Sequence, residues 1–200
     1  MATISHPTTR LWTPASADFG IRQSVILSTS PLDGQTQTAE VLGARWVCTV
    51  TYTAANNGDR AQFEGLFAAL RAQVNRLSMG HPLRRLPRGT MRGSPTTSGS
   101  TSALSNTVNI AATTGQTLLA GDMIGIGTQL FMVTANAVSV AGVMTGVNIS
   151  APVRTAITAG TAVVWDWPRA LWIVNGDSVR VPLTPVASPA FSVDLVEVFS

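Results

Sequence analysis

Residues 59–80 constrain this chain more than any other stretch. Phe63, Leu66, Phe67, Leu70, Val74 and Leu77 fall at i, i+3, i+4, i+7, i+11 and i+14, the spacing that gathers side chains on one face of a helix. Asp59 stands where an N-cap would, and Gln62 three residues later completes a capping-box pattern. Gly80 followed by Pro82 supplies a stop. The spacing predicts a helix over residues 59–79, with Phe63, Phe67 and Leu70 on its buried face. A single amphipathic helix cannot cover its own apolar stripe, so the rest of the chain must supply a sheet for it.

The flanking sequence has strand character. Trp46, Cys48, Val50 and Tyr52 alternate with Arg45, Val47, Thr49 and Thr51, the period of a strand with one face buried. Ahead of it, Val25, Ile26 and Leu27 run into Ser30-Pro31-Leu32-Asp33-Gly34, a turn signal that predicts a hairpin. At the far end, Val193, Leu195 and Phe199 share a face, with Glu197 the exception. Val179–Leu183 also reads as a strand. The final strands are expected to complete the sheet begun by residues 21–53.

Between these ends the composition changes. Residues 93–107 are rich in Ser, Thr and Gly and read as a flexible connector. Residues 108–164 carry almost no charge and show short strand signals separated by turns, including a hairpin about Gly127-Thr128. The expected fold class is mainly β. A β-sandwich with one packed helix, made of residues 1–92 and 165–200, carries an inserted small β-barrel or sandwich of residues 93–164. In 200 residues this is enough chain to bury roughly 70% of the unfolded surface.

Charge narrows the function. Charged residues make up 12% of the chain against 45% hydrophobic, which suits a protein packed against copies of itself or other subunits better than a free monomer. All thirteen basic residues are Arg, so the basic balance is a small excess of groups that never deprotonate. The positive charge gathers after the helix, at Arg84, Arg85, Arg88 and Arg92, where no acidic residue interrupts. Arg is the preferred cation of protein interfaces, so these four are candidate interface residues; nucleic-acid binding is the alternative they raise.

Nothing points to catalysis. His6, in the N-terminal arm, and His81, past the helix, read as surface or helix-end polar groups. Two His and one Cys, widely separated, offer no zinc-ligand spacing. The carboxylates are scattered, several in Asp-Gly turns. Trp165, Trp167 and Trp172 could stack on sugar rings, but aromatics at a junction between units more often pack. No cofactor or metal is expected, and no stretch is long and apolar enough for membrane insertion.

Asp33-Gly34-Gln35, Gly43-Ala44-Arg45-Trp46, Leu70-Arg71-Ala72, Gly80-His81-Pro82 and Arg88-Gly89, followed by Leu119-Ala120-Gly121-Asp122, Leu130-Phe131-Met132-Val133 and Ala151-Pro152-Val153-Arg154, together resemble tail proteins of long-tailed bacteriophages. Within that group the chain is most similar to the distal tail family. That resemblance implies a tube-like β-sandwich with one helix and an inserted outer β domain, in a non-enzymatic ring, usually a hexamer. Such a ring joins the tail tube to baseplate hub proteins in the virion, and DNA only passes through its lumen. The alternative is another minor tail protein whose inserted domain binds a host surface glycan. Trp46, Asp59, Phe63, Phe67, Leu70 and Gly80 are the expected structural positions.

Overall fold

Both ends of the chain contribute to one sheet. In the computed structural model, residues 1–7, 12–53, 57–71, 73–176, 179–181 and 189–199 are described, except for the side chains of residues 24, 40–42 and 57. The elements, in chain order, are β1 (Thr3–Ser5), β2 (Ser16–Thr29), β3 (Thr36–Tyr52), α1 (Asn57–Leu70), β4 (Arg76–Gly80), β5 (Thr96–Thr97), β6 (Thr107–Ala111), β7 (Thr117–Leu118), β8 (Met123–Ile126), β9 (Gln129–Met132), β10 (Ala137–Val138), β11 (Val143–Asn148), β12 (Val163–Val164), β13 (Arg169–Val174) and β14 (Phe191–Glu197). Among the described residues the fold is mainly β with one helix.

The largest sheet has the order β1-β4-β13-β14-β3-β2. All its pairs are antiparallel except β1 with β4. Its inner face is the apolar half of each alternation: Trp46, Cys48, Val50 and Tyr52 on β3, Phe191, Val193 and Leu195 on β14, Trp172 and Val174 on β13, Leu77 and Met79 on β4. Helix α1 lies on that face through Phe63 and Leu70, both buried, with Leu66 and Phe67 half-buried. Phe63 is the hub of an aromatic cluster, with ring centroids 4.5 Å from Trp12, 5.0 Å from Tyr52 and 5.1 Å from Phe191.

The helix is shorter than its spacing predicts. It ends at Leu70, not at residue 79. Arg71 turns into the left-handed region at φ 48°. Asn75 then closes the end, its side-chain amide donating to the Ala69 carbonyl at 2.9 Å and its backbone N–H to Leu70 at 3.0 Å. Leu77 continues the helical count by coincidence; it and Met79 are buried by the two-residue period of β4, while Val74 is exposed. Gly80 is therefore no helix stop. It sits at the end of β4, where a Cβ would meet the Pro168 carbonyl oxygen and the Trp167 ring at 2.6 Å. At the other end the helix opens at Asn57, so Asp59 lies within the first turn and not at the cap; its charge there complements the helix dipole.

The N-terminal segment is not a free arm: β1 joins the sheet edge, and His6 and Trp12 are buried. Residues 93–107 are not a loose connector either. Thr97 is buried, donates through its hydroxyl to the Thr158 carbonyl at 2.8 Å, and pairs with Ile110 across β5 and β6. Ser and Thr here form an edge strand because their hydroxyls satisfy neighbouring backbone groups. Of the strand expected at Val179–Leu183, residues 182–183 lie outside the described residues; Val179 and Val181 pack against the main core without strand pairing.

Residues 96–164 form three small sheets, β11-β6-β5, β12-β8-β9 and β10-β7, around a second core that includes Met91, Ile110, Ile124, Phe131, Val147 and Val163. The β8–β9 hairpin turns at Gly127-Thr128. Met123 and Leu130 face the first core instead, so the two cores meet along this hairpin.

Candidate assembly surface

The β2–β3 hairpin outruns the core. Its ladder shifts register between Arg22 and Ser24, and pairing then continues from Ser24↔Val41 to Thr29↔Thr36, about 20 Å at the usual rise per residue. Beyond the shift, every residue from 25 to 39 is exposed except Ser30. Val25, Ile26 and Leu27 are 49%, 60% and 67% exposed, and Leu32 at the tip is 96% exposed. Successive strand residues point to opposite faces, so the arm is apolar on both sides. Strand β2 is also the last strand of its sheet, with its outer backbone edge open to a further strand.

The tip is well formed. The Asp33 carboxylate accepts the Gln35 N–H at 3.2 Å, and hydrogen bonding from the Ser30 side chain and then the Gln35 backbone holds its pKa below the ordinary carboxylate value. The turn joins an exposed apolar run on β2, Val25–Leu27, to a mostly polar run on β3, Thr36–Ala39.

At the arm's root the two cores are locked together. Glu197, the polar exception on β14, is buried and receives the Arg154 guanidinium, with Nη2–Oε2 at 2.7 Å and Nη1–Oε1 at 3.1 Å. The same carboxylate accepts the Trp46 backbone N–H at 3.0 Å. Arg154 also donates to the Ala44 carbonyl at 3.1 Å and stacks over Phe199 at 3.6 Å. The Trp46 indole N–H donates to the Leu130 carbonyl at 2.9 Å. Buried charge is tolerated here because it is paired and fully hydrogen-bonded. An apolar cleft of about 250 Å³ opens beside it, between Gly43, Ala44, Pro152 and Phe199.

The four predicted arginines lie together on the segment joining the two cores. Arg84 donates to the Gly121 carbonyl, Arg88 to that of Ala120, and Arg92 to those of Gly89 and Met91. Arg85 stacks on Trp167 at 4.5 Å, with Arg169 on the same ring at 4.3 Å, and Arg92 stacks on Trp165 at 5.1 Å. All five remain exposed. The Trp residues thus pack, with guanidinium groups over the faces of Trp165 and Trp167. What organises the segment is Asp122, which the sequence shows only as an Asp in a turn. It is buried and accepts backbone N–H groups of Arg88 at 2.8 Å, Gly89 at 3.0 Å and Leu119 at 2.8 Å. Gly89 permits this approach, since a Cβ there would collide with the Thr117 carbonyl oxygen.

Both histidines are interior groups, contrary to their expected surface placement. Burial, reinforced by nearby Arg169, pushes His6 down to about 4 despite a raising backbone hydrogen bond at Pro7. Burial, then Arg84, pushes His81 down to about 4. His81 Nδ1 accepts N–H groups from Leu83 and Arg84 at 3.2 and 3.0 Å, so the neutral ring carries its proton on Nε2. Burial likewise pushes the Cys48 thiol up to about 12, with Asp18 adding to it; this is an inert, protonated thiol.

Among the described residues no helix is long and apolar enough to cross a membrane, and no group of three or more His, Cys, Asp or Glu side chains is placed to hold a metal. No protein-family model matches the sequence, and a search of curated proteins finds no match.

Proposed function

We propose that this protein is a structural subunit that acts by assembly, forming a ring of the phage tail-tip kind that its sequence motifs resemble. In that reading it joins the tail tube to the baseplate within the virion, performs no catalysis, and leaves a lumen through which DNA passes. The observation that carries the proposal is the β2–β3 arm. A two-stranded ribbon is marginal in water by itself, and this one exposes Val25, Ile26 and Leu27 on both faces beside an open strand edge. Contact with another subunit would cover those side chains and extend the sheet.

The test is mass photometry of the intact chain beside a variant with Val25→Thr, Ile26→Thr and Leu27→Thr. These changes keep strand propensity and remove the apolar surface. The wild type is expected as a closed oligomer and the variant as a monomer whose circular dichroism spectrum shows it folded, with a melting temperature lowered only by the lost association. A wild type that stays monomeric at every concentration, with tail proteins present, overturns the reading.

A further inference from the structure

A second surface of this chain has no charge complement among the described residues of its own copy. Strands β2, β3 and β14 place Asp18, Thr49 and Asp194 side by side on the outer face of the large sheet, through the pairs Asp18↔Thr49 and Asp194↔Thr49. The Thr49 hydroxyl donates to Asp194 at 2.6 Å, and both carboxylates are exposed. They border a groove of about 370 Å³ whose lining includes the half-buried Val47 and Val196 and the side-chain-free Gly20. No described basic side chain is within ion-pair distance of either carboxylate.

The arginine segment is its counterpart in charge and form. Arg84 and Arg85 are exposed, make no described ion pair, and are held in place by the Gly121 carbonyl and the Trp167 ring. Guanidinium groups fixed in advance lose little side-chain freedom on binding. Exposed Leu83 and Leu86, at 53% and 55%, flank the pair along the segment. An arginine pair flanked by leucines matches an acidic groove with valine walls; a phosphate backbone would leave the leucines uncovered.

We propose that the Arg84–Arg85 segment of one copy docks into the Asp18–Asp194 groove of a second copy. The two patches are different parts of the molecule, so the contact is head-to-tail, the kind of interface that closes into a ring when its rotation permits. This inference rests on the assembly reading above and names one of its contacts.

The experiment is a charge swap on the full chain, followed by sedimentation velocity over a concentration series. One variant carries Arg84→Glu and Arg85→Glu; the other carries Asp18→Arg and Asp194→Arg. Circular dichroism and melting temperature establish that each folds. Each variant alone is expected to self-associate about a hundredfold more weakly, because like charges then face each other. An equimolar mixture is expected to recover wild-type assembly, since every contact in an alternating ring again joins opposite charges. High salt should weaken the wild-type contact, as exposed pairs are screened. Folded variants that assemble as tightly as the wild type overturn this contact while leaving the ring intact, and a mixture that fails to recover overturns it too. Wild-type chain that stays monomeric overturns both readings, and a DNA duplex that displaces the second copy assigns the arginines to nucleic acid instead.

Discussion

Arg154 reaches from the second unit into the first and closes on Glu197 at 2.7 Å, with the Glu197 side chain 1% exposed and that of Arg154 23%. Removing the cation leaves a buried charge with the Trp46 N–H as its remaining described donor. Arg154→Ala is therefore expected to destabilise the protein by about 3 kcal/mol. Arg154→Met with Glu197→Leu should cost much less, because neither charge is stranded. Denaturant unfolding of both variants and the wild type checks this, and a milder effect of the single change would mean solvent reaches the carboxylate.

The helix offers a graded prediction. Phe63 is fully buried against the rings of Trp12, Tyr52 and Phe191, and Phe63→Ala should cost about 3–5 kcal/mol. Leu70→Ala, also at a buried site, should cost about 2–5 kcal/mol. Phe67 is half-buried, so its truncation should cost distinctly less than either. Equal losses at Phe63 and Phe67 in equilibrium unfolding would contradict this orientation of the helix.

Arg71 pays a conformational penalty at φ 48° that glycine does not. Arg71→Gly is expected to stabilise the fold by about 0.5–1 kcal/mol. Asn75→Ala, which frees the Ala69 carbonyl, should destabilise it by about 1 kcal/mol. Paired thermal melts read both signs directly.

Acid should weaken the protein through its histidines. His6 and His81 sit near 4 when folded against 6.5 for the free side chain. The unfolded chain therefore takes up their protons first as pH falls. Their contribution is complete above about 6.5, declines as pH drops from there toward about 4, and stays lost below that. His81→Gln should flatten part of this slope in urea titrations at successive pH values. An unchanged slope would mean the ring titrates normally.

Much of the sheet was legible because its alternation is strong: Trp46 to Tyr52 and Phe191 to Leu195 announce their inner face residue by residue. The hairpin turn at Ser30–Gly34 was equally visible. The helix end was not, since an arginine in a left-handed conformation carries no compositional mark, and Leu77 satisfies both the helical and the strand period. Asn75 was the available signal. The burial of His6, Asp122 and Glu197 was hidden for another reason: each depends on partners that are distant in sequence, such as Tyr52 for His6 at 2.9 Å and Arg154 for Glu197. Composition read residues 93–107 as loose because Ser and Thr serve edge strands and linkers alike. The arginine segment stood out by charge, but its rigidity comes from Asp122 and the Trp rings.

The Ala44 carbonyl, at the root of the β2–β3 arm, is held by the same guanidinium that grips Glu197. One side chain thus ties the root of the arm to the last strand of the large sheet and to the second unit. Loss of Arg154 would therefore loosen three contacts at once, at Ala44, Glu197 and Phe199.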